Sequence, residues 1–178
     1  MDRPVSQLWG KRCLYLGLAL AIMFLHLLPL DTKPDRGPFP DFLIALTFAW
    51  VMRRPEFVPI VSVAAVMLMA DLLLQRPPGL LAALVVLGTG YLRNAAPGMR
   101  DAGFLAEWST VAAVITAIFV LNRMILAILS VQQAALGPVA IQVMLTIAIY
   151  PIIVLLSQSA FGVRRFSAAD TGAIGARG

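Results

Sequence analysis

The chain is a succession of apolar runs divided by breaks rich in proline, glycine and arginine, and no polar stretch between them is long enough to fold alone. Such runs must be buried in lipid or in one another, and a backbone in lipid has to satisfy its own hydrogen bonds, so the only economical solution is a bundle of membrane helices. With 178 residues, 60% apolar and 13% charged, and a mean hydropathy of +0.88, the chain lies well above the soluble average of about 45–50% apolar residues. The length accommodates one domain of five or six spans at about 20 residues each.

The first span is read from about Cys13 to Leu30. Arg3, Lys11 and Arg12 precede it as they would a signal peptide, but no small-residue cleavage site follows, so the span is expected to be uncleaved. Asp31–Pro40 is proline-rich and reads as an aqueous loop. The second run, Asp41–Met52, covers only roughly 18 Å against a hydrocarbon core of about 30 Å. It needs help from flanking residues, local thinning or burial among other helices. A third run extends from about Phe57 to Leu74, and a fourth, Gly79–Leu92, carries Gly88, Thr89 and Gly90, small residues that permit close helix approach. The fifth extends from about Phe104 to Leu121 and on towards Leu129, and the sixth from about Pro138 to Phe161. Within the sixth, Pro151 removes a backbone hydrogen bond and predicts a kink. Residues 1–163 thus form one six-span membrane domain, and 164–178 a short tail expected to be disordered.

Orientation follows from Lys and Arg. With the N-terminus inside, the cytoplasmic segments collect Arg3, Lys11, Arg12, Arg53, Arg54, Arg93, Arg100, Arg164, Arg165 and Arg177, against Lys33, Arg36, Arg76 and Arg123 outside. If the second run fails to cross, a smaller excess favours the N-terminus outside. Six spans with both termini cytoplasmic is the preferred arrangement, with Arg53, Arg54, Arg164 and Arg165 as topology anchors. The same placement explains the net charge of +5 without nucleic acid as a partner.

Reactive equipment is sparse. There is one histidine, His26, and one cysteine, Cys13, with no His-x-x-x-His or Cys-x-x-Cys spacing and no phosphate loop. Neither an enzyme nor a cofactor-binding protein is expected, and a lone cysteine cannot form an intramolecular disulfide. Asp71, a carboxylate near the end of an apolar run, is the default functional residue. It reads either as an interfacial acid paired with Arg76 or as a polar lock facing the bundle or a partner helix; a proton relay would lack its second acid. His26 and Asn122–Arg123 read as interfacial residues, Gln132, Gln133 and Gln142 as satisfying helix ends, and Trp9, Trp50 and Trp108 as an aromatic belt.

The order Pro40-Asp-Phe-Leu-Ile-Ala-Leu46 leading to Trp50, then Arg53-Arg54-Pro55 at a turn, then Asp71-Leu-Leu-Leu-Gln-Arg-Pro-Pro-Gly79, resembles the MreD family of bacterial rod shape-determining proteins. That family's length and multi-pass organisation cover nearly the whole chain. The resemblance implies an all-α integral protein of the bacterial inner membrane, a compact bundle of six transmembrane helices without catalytic activity. It also implies membership of the cell-elongation (rod) complex, with an MreC-type membrane-anchored protein as direct partner. Through that partner it would connect to MreB filaments, a RodA-type glycosyltransferase and a class B penicillin-binding transpeptidase, in membrane lipid. On this reading Asp71, Arg76, Pro77, Pro78 and Gly79 form a partner-binding or structural polar site, and helices two to four supply the docking surface. The runner-up is a substrate-binding subunit of an energy-coupling-type vitamin transporter, also a small six-span bundle.

Overall fold

The computed structural model describes residues 5–28, 38–99, 103–133 and 135–161, and their regular structure is entirely helical. The helices are α1 (Val5–Leu27), α2 (Phe42–Arg53), α3 (Ile60–Leu73), α4 (Leu80–Ala95), α5 (Phe104–Ile128) and α6 (Leu136–Phe161), with single 3-10 turns at Pro55–Phe57 and Pro97–Met99. Gln7–Leu27, Phe104–Ile128 and Leu136–Ala160 are long and apolar enough to cross a membrane. The chain is therefore an all-helical, multi-pass membrane protein. Expectation and structure part at α2, α3 and α4: with 12, 14 and 16 residues they fall short of the about 20 that a bilayer demands. Lys33, Arg36, Arg164, Arg165 and the expected tail lie outside the described residues.

The bundle is arranged around its shortest helix. α2 packs against α1, α4, α5 and α6, and every residue from Leu43 to Arg53 is buried. Of the three remedies open to a short helix, burial is the one adopted, since α2 presents no face to lipid. Asp41 starts it, its Oδ1 accepting the Ile44 N–H at 3.2 Å while its own N–H donates to Thr146 Oγ1 on α6 at 2.9 Å. Pro55 stops it, because the residue before a proline is driven out of the helical region, and Arg54 lies at φ −146°.

α1 begins earlier than the sequence suggests, so Lys11 and Arg12 lie inside the helix instead of before it. Arg12 is accommodated because its guanidinium lies 5.5 Å from the Trp9 ring centroid and its Nε donates to the Glu56 carbonyl at 3.2 Å. α3 ends in a Schellman motif: the Arg76 N–H donates to Asp71 O at 2.9 Å and the Gln75 N–H to Leu72 O at 3.4 Å, with Gln75 at φ +53°. α5 ends the same way at Ser130, φ +54°, where the Val131 N–H donates to Leu126 O at 3.0 Å. Gly88 supplies the close approach of α4 to its neighbours, since a Cβ there would stand 2.8 Å from Ile118 Cδ1, whereas one at Gly90 would meet nothing.

α6 continues through Pro151. The missing N–H leaves the Ile147 carbonyl without its helical donor, and Trp108 of α5 replaces that donor with its indole Nε1, at 3.0 Å. A position expected in an aromatic belt is thus a rivet between α5 and α6. Trp108→Phe is expected to cost about 1–3 kcal/mol by stranding the carbonyl. In a Pro151→Ala background, where a backbone N–H returns, the same substitution should cost much less. Thermal unfolding of the four proteins in detergent reads this cycle, and equal costs in both backgrounds would exclude the rivet.

Candidate functional site

Polar side chains gather at the two ends of α2, and each end has its own chemistry. At the end where α2, α4 and α6 begin, Asp71 is 1% exposed and its Oδ2 accepts the N–H groups of Gly79 at 3.1 Å and Ala82 at 3.2 Å. The carboxylate of α3 thereby occupies the N-terminus of α4, where unpaired N–H groups and the helix dipole favour negative charge. Gly79 makes this possible: it sits at φ +89°, a conformation that a side chain would strain. Pro77 and Pro78 carry the chain from the Schellman turn into the new helix.

Arg76 does not form the expected side-chain pair with Asp71. Its NH1 lies 3.4 Å from Asp41 Oδ2, across the bundle, and its backbone N–H donates to the Asp71 carbonyl. His26, Asp41, Asp71 and Arg76 all face a cavity of about 20 Å³, the size of a single water. Arg76 and Pro77 also line a larger cleft with Asn122, Arg123 and the glutamines 132, 133 and 142.

At the opposite end, Arg53 NH1 pairs with Glu107 Oε1 at 2.6 Å, and the Tyr150 hydroxyl donates to the same oxygen at 2.5 Å. Both side chains of the pair are almost fully buried, at 2% and 1% exposure. Arg53, expected as a charge at the membrane boundary, is instead an interior group joining α2, α5 and α6. Glu107 escaped sequence reasoning altogether. Its signal was the one that drew attention to Asp71, a lone acid in an apolar run, but 54 positions separate it from its partner. Arg54, also buried, lies 3.5 Å from Glu56, and Arg93 of α4 donates to the carbonyls of Pro55 and Val58. The turn between α2 and α3 is thus clamped by Arg12 of α1 and Arg93 of α4.

Between the ends, α2 is tied twice more. Thr47 donates to the Leu43 carbonyl at 2.7 Å, so the Tyr15 hydroxyl of α1 is the donor in its 2.9 Å contact with Thr47 Oγ1. Trp50 Nε1 donates to Ser157 Oγ of α6 at 3.0 Å. Trp50 is wholly buried and belongs to no aromatic belt. Buried from Leu43 to Arg53, α2 offers no exposed face to the docking surface that the sequence suggested. A further surface feature, an apolar groove of about 650 Å³, runs between α4 and α5 along Leu84, Leu87, Gly88, Val114, Ala117 and Ile118.

Losing one partner of a buried ion pair strands the other, so Arg53→Met alone should cost about 3–5 kcal/mol, while Arg53→Met with Glu107→Leu should recover most of it. Chemical or thermal unfolding of the single and double variants checks this. Asp71→Ala should cost about 1–3 kcal/mol through the two orphaned N–H groups of α4, and Asp71→Asn, which keeps an acceptor oxygen, clearly less; equal losses would mean that the cap contributes nothing. Comparison of the chain with models of protein families, with curated proteins and with solved structures finds no match.

Proposed function

We propose that the chain is a non-catalytic scaffold of the bacterial cell-elongation complex, similar to MreD, crossing the inner membrane six times with both termini in the cytoplasm. One observation carries the reading: Asp41, Asp71, Arg53 and Glu107, all buried within the bundle, are each engaged in contacts between helices of the chain itself. Charges used in this way hold a shape. The stretches that carry the MreD resemblance are those that do the holding, since Asp41 starts α2, Arg53 reaches α5, and Asp71 with Gly79 starts α4.

Six crossings are compatible with three short helices. α2 meets no lipid, and α3, at roughly 21 Å, requires the bilayer to thin where Val61, Leu68 and Leu72 face outward. The Arg53 end, with Lys11, Arg12, Arg54 and Arg93, is the cytoplasmic one. The direct partner is an MreC-type membrane-anchored protein, whose single helix would lie in the groove between α4 and α5, where small residues lower the wall. Through it the scaffold would organise MreB filaments, the RodA-type glycosyltransferase and the class B transpeptidase into lateral peptidoglycan synthesis, and so maintain rod shape.

Depletion of the protein should round the cells, seen by microscopy, and Ala117→Trp, which fills the groove from its exposed rim, should reduce co-purification of the partner without lowering the melting temperature. Unaltered cell shape on depletion, or capture of a vitamin at nanomolar strength by the purified chain, would replace this reading by that of a transport subunit.

A further inference from the structure

Polar side chains lie at two levels of the bundle, and four helices agree on the distance between them. Arg12 of α1 and Arg93 of α4 both donate to carbonyls of the turn at Pro55–Val58, which puts them at one level, just past Arg53. At the other level His26, Asp41, Asp71 and Arg76 line one small cavity. Along the helix axes Arg12 to His26 spans roughly 21 Å, Asp41 to Arg53 roughly 18 Å, α3 roughly 21 Å and Leu80 to Arg93 roughly 20 Å. α3 packs against both α1 and α4, and the exposed side chains Leu20, Phe24, Val61, Leu68, Leu72 and Leu87 of these three helices form an apolar band between the two levels. Trp9, 5.5 Å from the Arg12 guanidinium, and Tyr91, close before Arg93 in α4, are exposed at one rim of the band, where aromatic rings sit between lipid and water.

The opposite side is built to a different measure. α6 has no charged residue in its sequence, and its exposed apolar side chains run from Leu136 to Leu156, roughly 30 Å. Those of α5 run from Leu105 to Ile128, roughly 35 Å. A hydrocarbon core of about 30 Å fits that side, but it exceeds the band of α1, α3 and α4 by roughly 10 Å and would draw hydrocarbon over polar groups. Snorkelling does not make up the difference, because Arg12 and Arg93 are tied to the turn carbonyls at their own level. What remains is for the lipid to thin, at a modest cost per Å that is smallest for short acyl chains. We propose that the side formed by α1, α3 and α4 is a lipid-binding face that pinches the bilayer and gathers phospholipids of short acyl chain, while α5 and α6 face a bilayer of full thickness. The inference rests on the reading that α3 and α4 cross the membrane, and not on which protein the bundle serves.

The test uses the full chain in vesicles of dimyristoleoyl and dioleoyl phosphatidylcholine in equal parts, one or the other carrying brominated chains that quench tryptophan. Leu68→Trp places a reporter on α3 and Met144→Trp one on α6, both at exposed positions, with the emission of the parent protein subtracted. The α3 reporter should be quenched about threefold more effectively by the short-chain lipid, and the α6 reporter equally by both. No preference at α3, or the same preference at both positions, would overturn the proposal. An α3 reporter quenched by neither lipid would overturn it in favour of a protein covering this face. Should a tryptophan variant not fold, the wild-type protein should melt at a higher temperature in dimyristoleoyl than in dierucoyl phosphatidylcholine, and the reverse order would count against the pinched face. Treatment of Pro78→Cys in spheroplasts with an impermeant thiol reagent separates the proposal from the reading beneath it. Labelling without a chain-length preference would overturn the pinched face alone, whereas no labelling would overturn it together with the crossings of α3 and α4.

Discussion

The structure depends on a helix too short for the membrane that surrounds it. α2 covers roughly 18 Å, and in lipid its ends would expose backbone N–H and carbonyl groups to hydrocarbon at several kcal/mol each. The bundle solves this by wrapping α2 on every side and by giving its termini protein partners. Asp41 meets the first N–H groups, and the turn that follows the last residue passes its carbonyls to Arg12 and Arg93. Once α2 is enclosed, its side chains must be satisfied internally as well, and the contacts of Thr47 with Tyr15 and of Trp50 with Ser157 follow from that enclosure. α6 mirrors the requirement: Thr146, Tyr150 and Ser157 recur along the face it turns towards α2, so its polar side is its buried side.

Charge has an unusual distribution for the same reason. A buried ion pair such as Arg53 with Glu107 adds little net stability over an apolar pair of equal shape, because desolvation offsets the attraction. What it adds is uniqueness, since few other registers of α2, α5 and α6 would bring the two charges and the Tyr150 hydroxyl together. Asp71 acts similarly at the far end, selecting one approach of α4 to α3 through two N–H groups. Fastened at both ends, the bundle is suited to presenting a constant outer face, which is what the proposed scaffold role asks of it.

The sequence by itself determined the class of the molecule and where its helices break. Apolar runs of this density exclude a soluble fold, and Pro55, Pro77, Pro78 and Gly79 mark turns through local sterics. Asp71 was conspicuous for a reason also carried in the sequence, an acid in surroundings that penalise it. The tertiary structure alone decided how the charges are matched. Asp71 prefers two N–H groups to Arg76, Arg76 turns to Asp41, and Arg53 finds Glu107, because these choices depend on which helices become neighbours. The roles of Trp50 and Trp108 were hidden for the same reason: an indole is as suitable at a membrane boundary as in a core, and only the proximity of Ser157 and of the carbonyl freed by Pro151 assigns these two to the interior.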